Sequence, residues 1–242
     1  DLLPVYQGRE ELTRLLNYWL EHEAERQERV TLLREIVRAR HSYRNRADQV
    51  LGLLSRPPGT RIAIKCPAPQ DEPEAWGDYH FAQSLARSLR RFGATVRIDL
   101  REARNNAIAD TDEVVIVLRG TVPYKRRANQ LSILWLISHP NEVSAAEIDS
   151  YDHVYVASAI DAERLASRSE ASISFLPQCT DTSRFTFDPD VIRTRGDRIL
   201  FVGNSRAIFR DSVRWSIEHG LDIDVYGQGW EPFLRDNRLK AL

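Results

Sequence analysis

The chain has 242 residues, 34 Lys and Arg against 35 Asp and Glu, a formal net charge of −1 at pH 7, 42% hydrophobic and 29% charged residues. That length accommodates one large or two ordinary domains with a packed core. The balanced charge excludes the basic excess of a dedicated nucleic-acid binder, and no apolar run reaches the length of a membrane span.

Cys66 and Cys179 lie far apart, with no CxxC pair and no His/Cys cluster, so we expect free thiols, no metal site and a reduced, cytoplasmic setting. No signal-peptide pattern is read in the opening residues. A chain without methionine that opens on Asp1 is expected to be part of a longer product.

Residues Glu10 to Leu54 read as helical. Leu12, Leu15, Leu16, Trp19 and Leu20 recur at helical spacing, as do Leu33, Ile36, Val37 and later Val50, Leu51 and Leu54. The intervening Glu21 to Arg29 is nearly all polar, with charges placed to pair three and four residues apart on a solvated helix. Two readings stand for residues 1–56: a helical hairpin packed on the main body, or a coiled-coil arm joining copies of the chain through residues 10–54. Ser55-Arg56-Pro57-Pro58-Gly59 cannot continue a helix and marks a domain boundary.

A βα rhythm follows over residues 60–180. Arg61 to Lys65 is a short strand, and Pro67 to Gly77 a loop rich in Pro and acidic residues. Asp78 is positioned to cap a helix from Tyr79 to Phe92, which Gly93 ends. Thr95 to Leu100, Glu113 to Leu118, Leu131 to Ile137, His153 to Ala157 and Ile173 to Leu176 read as strands, with helices at Val143 to Ile148 and Ile160 to Ala166. Residues 181–197 lack periodicity and read as an interdomain linker. A second α/β unit starts at residue 198 and runs to 242: strand Ile199 to Val202, loop Gly203 to Arg206, helix Arg210 to His219, strand Asp222 to Tyr226, loop Gly227 to Trp230. This pattern predicts an α/β protein: a Rossmann-like parallel sheet, an N-terminal helical arm and the start of a second Rossmann-like domain, with ligands at the carboxyl ends of the strands.

Three stretches then carry a resemblance. Ile133-Leu-Trp-Leu-Ile-Ser-His-Pro140 is followed by Tyr151-Asp-His-Val-Tyr-Val-Ala-Ser158. Phe175-Leu-Pro-Gln-Cys-Thr-Asp181 ends the first sheet. Phe201-Val-Gly-Asn-Ser-Arg206 opens the second unit, with Asp224-Val-Tyr-Gly-Gln-Gly-Trp230 behind it. In this order they resemble a glycosyltransferase of the two-Rossmann-domain GT-B type, in its group-1 and spore-maturation-protein branch. The resemblance covers residues 61 to 234 and leaves the helical arm outside. It implies transfer of a sugar from a nucleotide-diphosphate sugar to a glycan or other acceptor, without a bound metal and without a cofactor. Related enzymes continue through further strands, where an acidic motif grips the donor; no counterpart stands in these residues.

The resemblance and the strand ends together nominate the site. Gly203, Asn204, Ser205 and Arg206, with Arg210 four residues on, occupy the family's diphosphate loop, where close backbone approach and a helix N-terminus suit phosphate. Gly227, Gly229 and Trp230 stand where the family holds its nucleotide base. On the acceptor side, Gly77, His80, Arg119 and Gly120 close their strands, with Trp76 as a stacking platform and the Lys125-Arg-Arg127 run as an attractor for an anionic acceptor. His139 and Asp78 are the candidates for proton transfer. Each also has a plain structural reading: helix cap, turn glycine, solvated arginine or satisfied core histidine. The competing function is a non-catalytic GT-B-like module assembled through its helical arm. An NAD-dependent oxidoreductase or epimerase is disfavoured, because no GxGxxG follows the first strand.

Overall fold

The computed structural model describes residues 3–54, 59–186, 188, 199–234 and 239–240. The helix-breaking Ser55 to Pro58 segment, most of the predicted linker and Arg198 lie outside the described residues. The chain divides into two compact units, a central one of Ile36–Phe185 and an outer one that combines Asp1–Glu35 with Thr186–Leu242.

The central unit is a six-stranded parallel sheet: β1 (Arg61–Lys65), β2 (Thr95–Asp99), β3 (Val114–Arg119), β4 (Leu131–Leu136), β5 (His153–Val156) and β6 (Ile173–Phe175), in the order β2-β1-β3-β4-β5-β6. The chain is thus α/β and Rossmann-like, as its apolar runs predict. All six residues of β3 are buried, as befits a strand covered on both faces. Alternate residues feed two apolar layers. Ile62, Ile64, Ile116, Ile133 and Trp135 join one, and Val115, Val117, Leu134, Val154 and Val156 the other.

Helices α3 (Tyr43–Leu54) and α4 (Gly77–Arg91) complete the first layer, with the Tyr43 and Phe81 rings edge to face at 5.2 Å. Helices α5 (Ala145–Asp149) and α6 (Ala159–Ala166) supply Ile148, Ala162 and Leu165 to the second. Their N-caps are Ser144 and Ser158, whose hydroxyls accept the backbone N–H of Glu147 and Asp161.

Two details depart from the sequence reading. Helix α4 starts at Gly77, so Asp78 lies inside its first turn and Trp76 holds the cap position without a side-chain hydrogen bond. The βα alternation also lapses. β2 reaches β3 through short 3₁₀ turns at Arg101–Ala103 and Ala107–Thr111, and β3 reaches β4 through residues 120–130 with no helix.

The outer unit holds α1 (Arg9–Glu21), α7 (Asp211–Glu218) and a three-stranded parallel sheet in the order β7 (Ile199–Val202), β8 (Ile223–Tyr226), β9 (Leu239–Lys240). Its core is Val213, Ile223, Val225, Trp230 and Leu234. α1 packs on α7, with an Arg9–Glu218 ion pair at 3.2 Å. The division between units falls within α2 (Glu23–Arg40), which has no buried residue. No helix among the described residues is long and apolar enough to cross a membrane.

Candidate functional site

In the central unit the strand order turns between β1 and β3, the switch point at which open α/β sheets leave a crevice beyond the strand ends. Asp78, Gly120 and Ser138 converge there: a side-chain carbon on Gly120 would lie 3.4 Å from Ser138 Oγ and 3.8 Å from Asp78 Oδ1. Burial pushes the Asp78 carboxyl above the ordinary range, although its own backbone N–H and the nearby His139 work the other way. A raised carboxyl is better matched to exchanging protons near neutrality.

His139 stands exposed at the end of β4 with φ 54°, a left-handed conformation that few non-glycine residues adopt. Its Nδ1 pairs with Ser138 Oγ at 2.9 Å, which fixes the ring and leaves Nε2 as the outward nitrogen. Gly77 is exposed with open space around it, so the start of α4 is uncovered. Beside these groups lies a cavity of about 250 Å³ at the ends of β4 and β5, with Ser138, Ser158, Asp161 and Gln178 among its walls.

The other acceptor-side candidates are held in structural contacts. His80 Nε2 pairs with Glu74 O at 2.9 Å. Trp76 packs against the core and beneath the Arg101 guanidinium, 5.0 Å from its ring centre. Arg119 is buried; it meets Glu147 at 2.8 and 3.2 Å and also donates to Gly120 O and Glu142 O. Arg126 and Arg127 pair with Asp152 and Asp110.

Below this edge sits a charge cluster that the sequence reading did not single out. Lys65 is fully buried, 2.6 Å from Asp99 and 3.3 Å from Asp112, and Arg97 binds both carboxylates at 2.7 Å. Burial opposes ionisation of Asp99, but the hydrogen bonds from Arg97 and Lys65 outweigh it and hold its carboxyl below the ordinary range. Register pairs Lys65 with Asp99 on neighbouring strands. The legible signal was a lysine ending an otherwise apolar strand.

In the outer unit, the loops after β7 and β8 are joined by backbone and side-chain bonds. Gly203 N–H donates to Tyr226 O at 2.8 Å, Ser205 N–H to Gln228 O at 3.0 Å, and Gln228 N–H to Asn204 Oδ1 at 2.8 Å. Ser205 Oγ donates to Gly229 O. The glycines are required. A side-chain carbon on Gly227 would overlap the Gly203 carbonyl and approach Asn204 N at 3.0 Å; one on Gly229 would sit 2.9 Å from Ser205 Oγ. Both have positive φ, 144° and 74°.

Trp230 is fully buried, edge to face with Phe201, and its indole N–H donates to Gly203 O at 2.8 Å. It fixes the loops from within instead of presenting a face for stacking. Arg206 is exposed and left-handed, as is Ala207. Arg210 Nη2 donates to Asn204 O at 3.3 Å, while its buried Nε has no partner among the described residues. Arg210 thus reaches back to the backbone of Asn204, while Arg206 stands exposed on the intervening turn.

A family model described as Glycosyl transferase-like matches residues 1–52. This segment is the helical arm, α1 and α2 with α3 as far as Gly52. The resemblance read from the sequence lay on residues 61 to 234 and excluded that arm, so the match and the motifs fall on different parts of the chain. No curated protein and no solved structure matches the chain.

Proposed function

We propose that the chain belongs to a glycosyltransferase of the two-Rossmann type, similar to the group-1 and spore-maturation branch, that moves a sugar from a nucleotide-diphosphate donor to a glycan or other acceptor. The observation that carries this reading is the paired glycine loop of the outer unit. Its backbone is pinned, its glycines let the two loops approach closely, and Arg206 and Arg210 are carried by the loop that follows β7, an arrangement suited to a diphosphate. The family match to residues 1–52 supports the same chemistry.

In this reading the acceptor oxygen bonds to the anomeric carbon as the glycosidic C–O bond breaks, and the electron pair of that bond passes to the diphosphate, whose growing charge meets Arg206 and Arg210. Taken by itself, the switch point of the central sheet offers groups suited to an acceptor hydroxyl. Asp78 takes its proton, and His139, held by Ser138, binds a neighbouring hydroxyl. The reading calls for no metal and no cofactor; the nucleotide sugar is a substrate.

The test is calorimetric titration of the full chain with UDP, GDP and their sugars. Saturable binding of one nucleotide, weakened by Arg210→Ala, is expected. No binding by either nucleotide, together with a stable oligomer that is lost on deleting residues 1–56, would replace this proposal with an assembly module.

A further inference from the structure

Three arginines of the central unit are almost entirely enclosed: Arg46 and Arg104 are 2% exposed and Arg119 is 3% exposed. Two of them show how this fold satisfies a buried guanidinium. Arg46 reaches Pro177 O at 2.7 Å, Arg40 O and Gln49 Oε1 at 3.0 Å, and His41 Nδ1 at 2.8 Å. Arg119 has the Glu147 carboxylate and two carbonyls.

Arg104 has neither arrangement. Its one hydrogen bond among the described residues runs from Nη2 to Val122 O at a long 3.5 Å, its Nε is buried with no partner, and no carboxylate pairs with it. It lies over the Tyr124 ring, 5.6 Å from the centroid, and the Tyr124 hydroxyl is likewise buried without a partner. A desolvated cation over a ring whose own hydroxyl is also desolvated, both with unused hydrogen-bonding capacity, is costly unless something binds them.

Their position points to what that is. Arg104 follows β2 through the Arg101–Ala103 turn, and Val122 and Tyr124 follow β3. Both loops extend the carboxyl edge at the β1/β3 switch point, where Asp78 and Gly120 also stand. Cys66, the residue after β1, is within electrostatic reach of both Arg104 and Asp78. A planar guanidinium with free N–H groups suits the paired oxygens of a phosphate or carboxylate.

We propose that Arg104, with the Tyr124 hydroxyl as a second donor, anchors an anionic group at the carboxyl edge of the central sheet. Assigning that anion to the acceptor rests on the sugar-transfer reading, in which the donor diphosphate is held by the outer unit's loops. The acceptor is then an acidic molecule, bearing a phosphate or a carboxylate near the reacting hydroxyl. The anion site itself stands on the geometry alone.

The experiment follows the arginine Nε–H signals of the full-length wild-type chain by nitrogen-15 NMR during separate titrations with inorganic phosphate and malonate. The Arg104 signal is assigned by its disappearance in Arg104→Lys. The expected result is a saturable shift of that signal with one anion, with the Arg46 and Arg119 signals unmoved; the anion that acts at lower concentration identifies the group. In Arg104→Met, affinity for that anion falls about tenfold or more, the loss expected for a charge-assisted pair. Thermal unfolding without anion is unchanged or shifted upward, because an uncompensated buried charge has gone. An Arg104 signal unmoved by either anion, or anion binding retained in Arg104→Met, overturns the proposal and leaves a buried water at Nε. Neither titration contains nucleotide, so failure of nucleotide binding counts against sugar transfer and not against this site.

Discussion

The two carboxyl edges of this molecule are built by opposite means. In the outer unit the loops after β7 and β8 are shaped by backbone: glycines in close approach, N–H to C=O bonds, and a buried indole as a pin. In the central unit the edge is shaped by side chains, with buried Lys65, Asp99, Asp112 and Arg119 in ion pairs and Asp78 desolvated beside Ser138. A backbone cradle offers fixed dipoles and suits a charge that develops in place. A side-chain edge offers groups that gain and lose protons.

The comparison can be broken first at Lys65. Replacement by Met leaves Asp99 and Asp112 buried with Arg97 alone to balance two carboxylates, and should cost about 3 kcal/mol of unfolding free energy in urea titrations followed by circular dichroism. Pairing Lys65→Met with Asp112→Asn should recover part of that loss. If the single variant is as stable as wild type, the side-chain edge is not held by charge.

Next is Gly227→Val, which forces a side chain against the Gly203 carbonyl at a φ that disfavours it. A cost of about 2–4 kcal/mol is expected, confined to the outer unit. Hydrogen exchange should accelerate in residues 199–230 while β3 and β4 stay protected. Trp230→Phe keeps an aromatic ring but removes the pyrrole half of the indole with its bond to Gly203 O, so about 2 kcal/mol should be lost in the same measurement.

The smallest effect is at Asp181, which joins Ser84 at 2.7 Å and Arg87 at 2.5 Å. Burial raises its carboxyl, but bonds from Ser183, Ser84 and Arg87 prevail and hold it well below the usual range. A depressed folded-state value contributes stability above the unfolded value of about 4, and that contribution disappears as pH falls through the folded value. Asp181→Asn should therefore lower the melting temperature at pH 7, with the gap to wild type closing below about pH 4. An equal gap at both pH values would remove the electrostatic explanation.

Most strands were legible as apolar stretches bounded by turn residues, and β3 shows this in pure form; β9, two residues long, was not read. No helix was read between β3 and β4, since Pro123 and the basic run carry no period, although the βα rhythm as a whole was expected to hold. The arm gave its helices but not their places. Leu12 and Val50 announce an apolar face, yet spacing alone does not say which partner covers it, and the two halves of the arm fall in different units.

Asp78, Gly120 and His139 were singled out because strand ends and helix starts are readable. The bonds of Lys65 to Asp99 and Asp112 were not, because they join residues 34 and 47 positions apart. Trp230 was placed at the nucleotide base by the resemblance, with a turn residue as its plain reading; only packing shows it turned inward.

The division of labour between the two edges is tested most directly by comparing Arg210→Ala with Asp78→Asn in nucleotide titration and in sugar transfer. The account predicts that Arg210→Ala weakens nucleotide binding about tenfold. It predicts that Asp78→Asn leaves nucleotide affinity unchanged and slows transfer by about 10²–10⁴. Equal weakening of nucleotide binding by both variants, or transfer unaffected by Asp78→Asn, would contradict it.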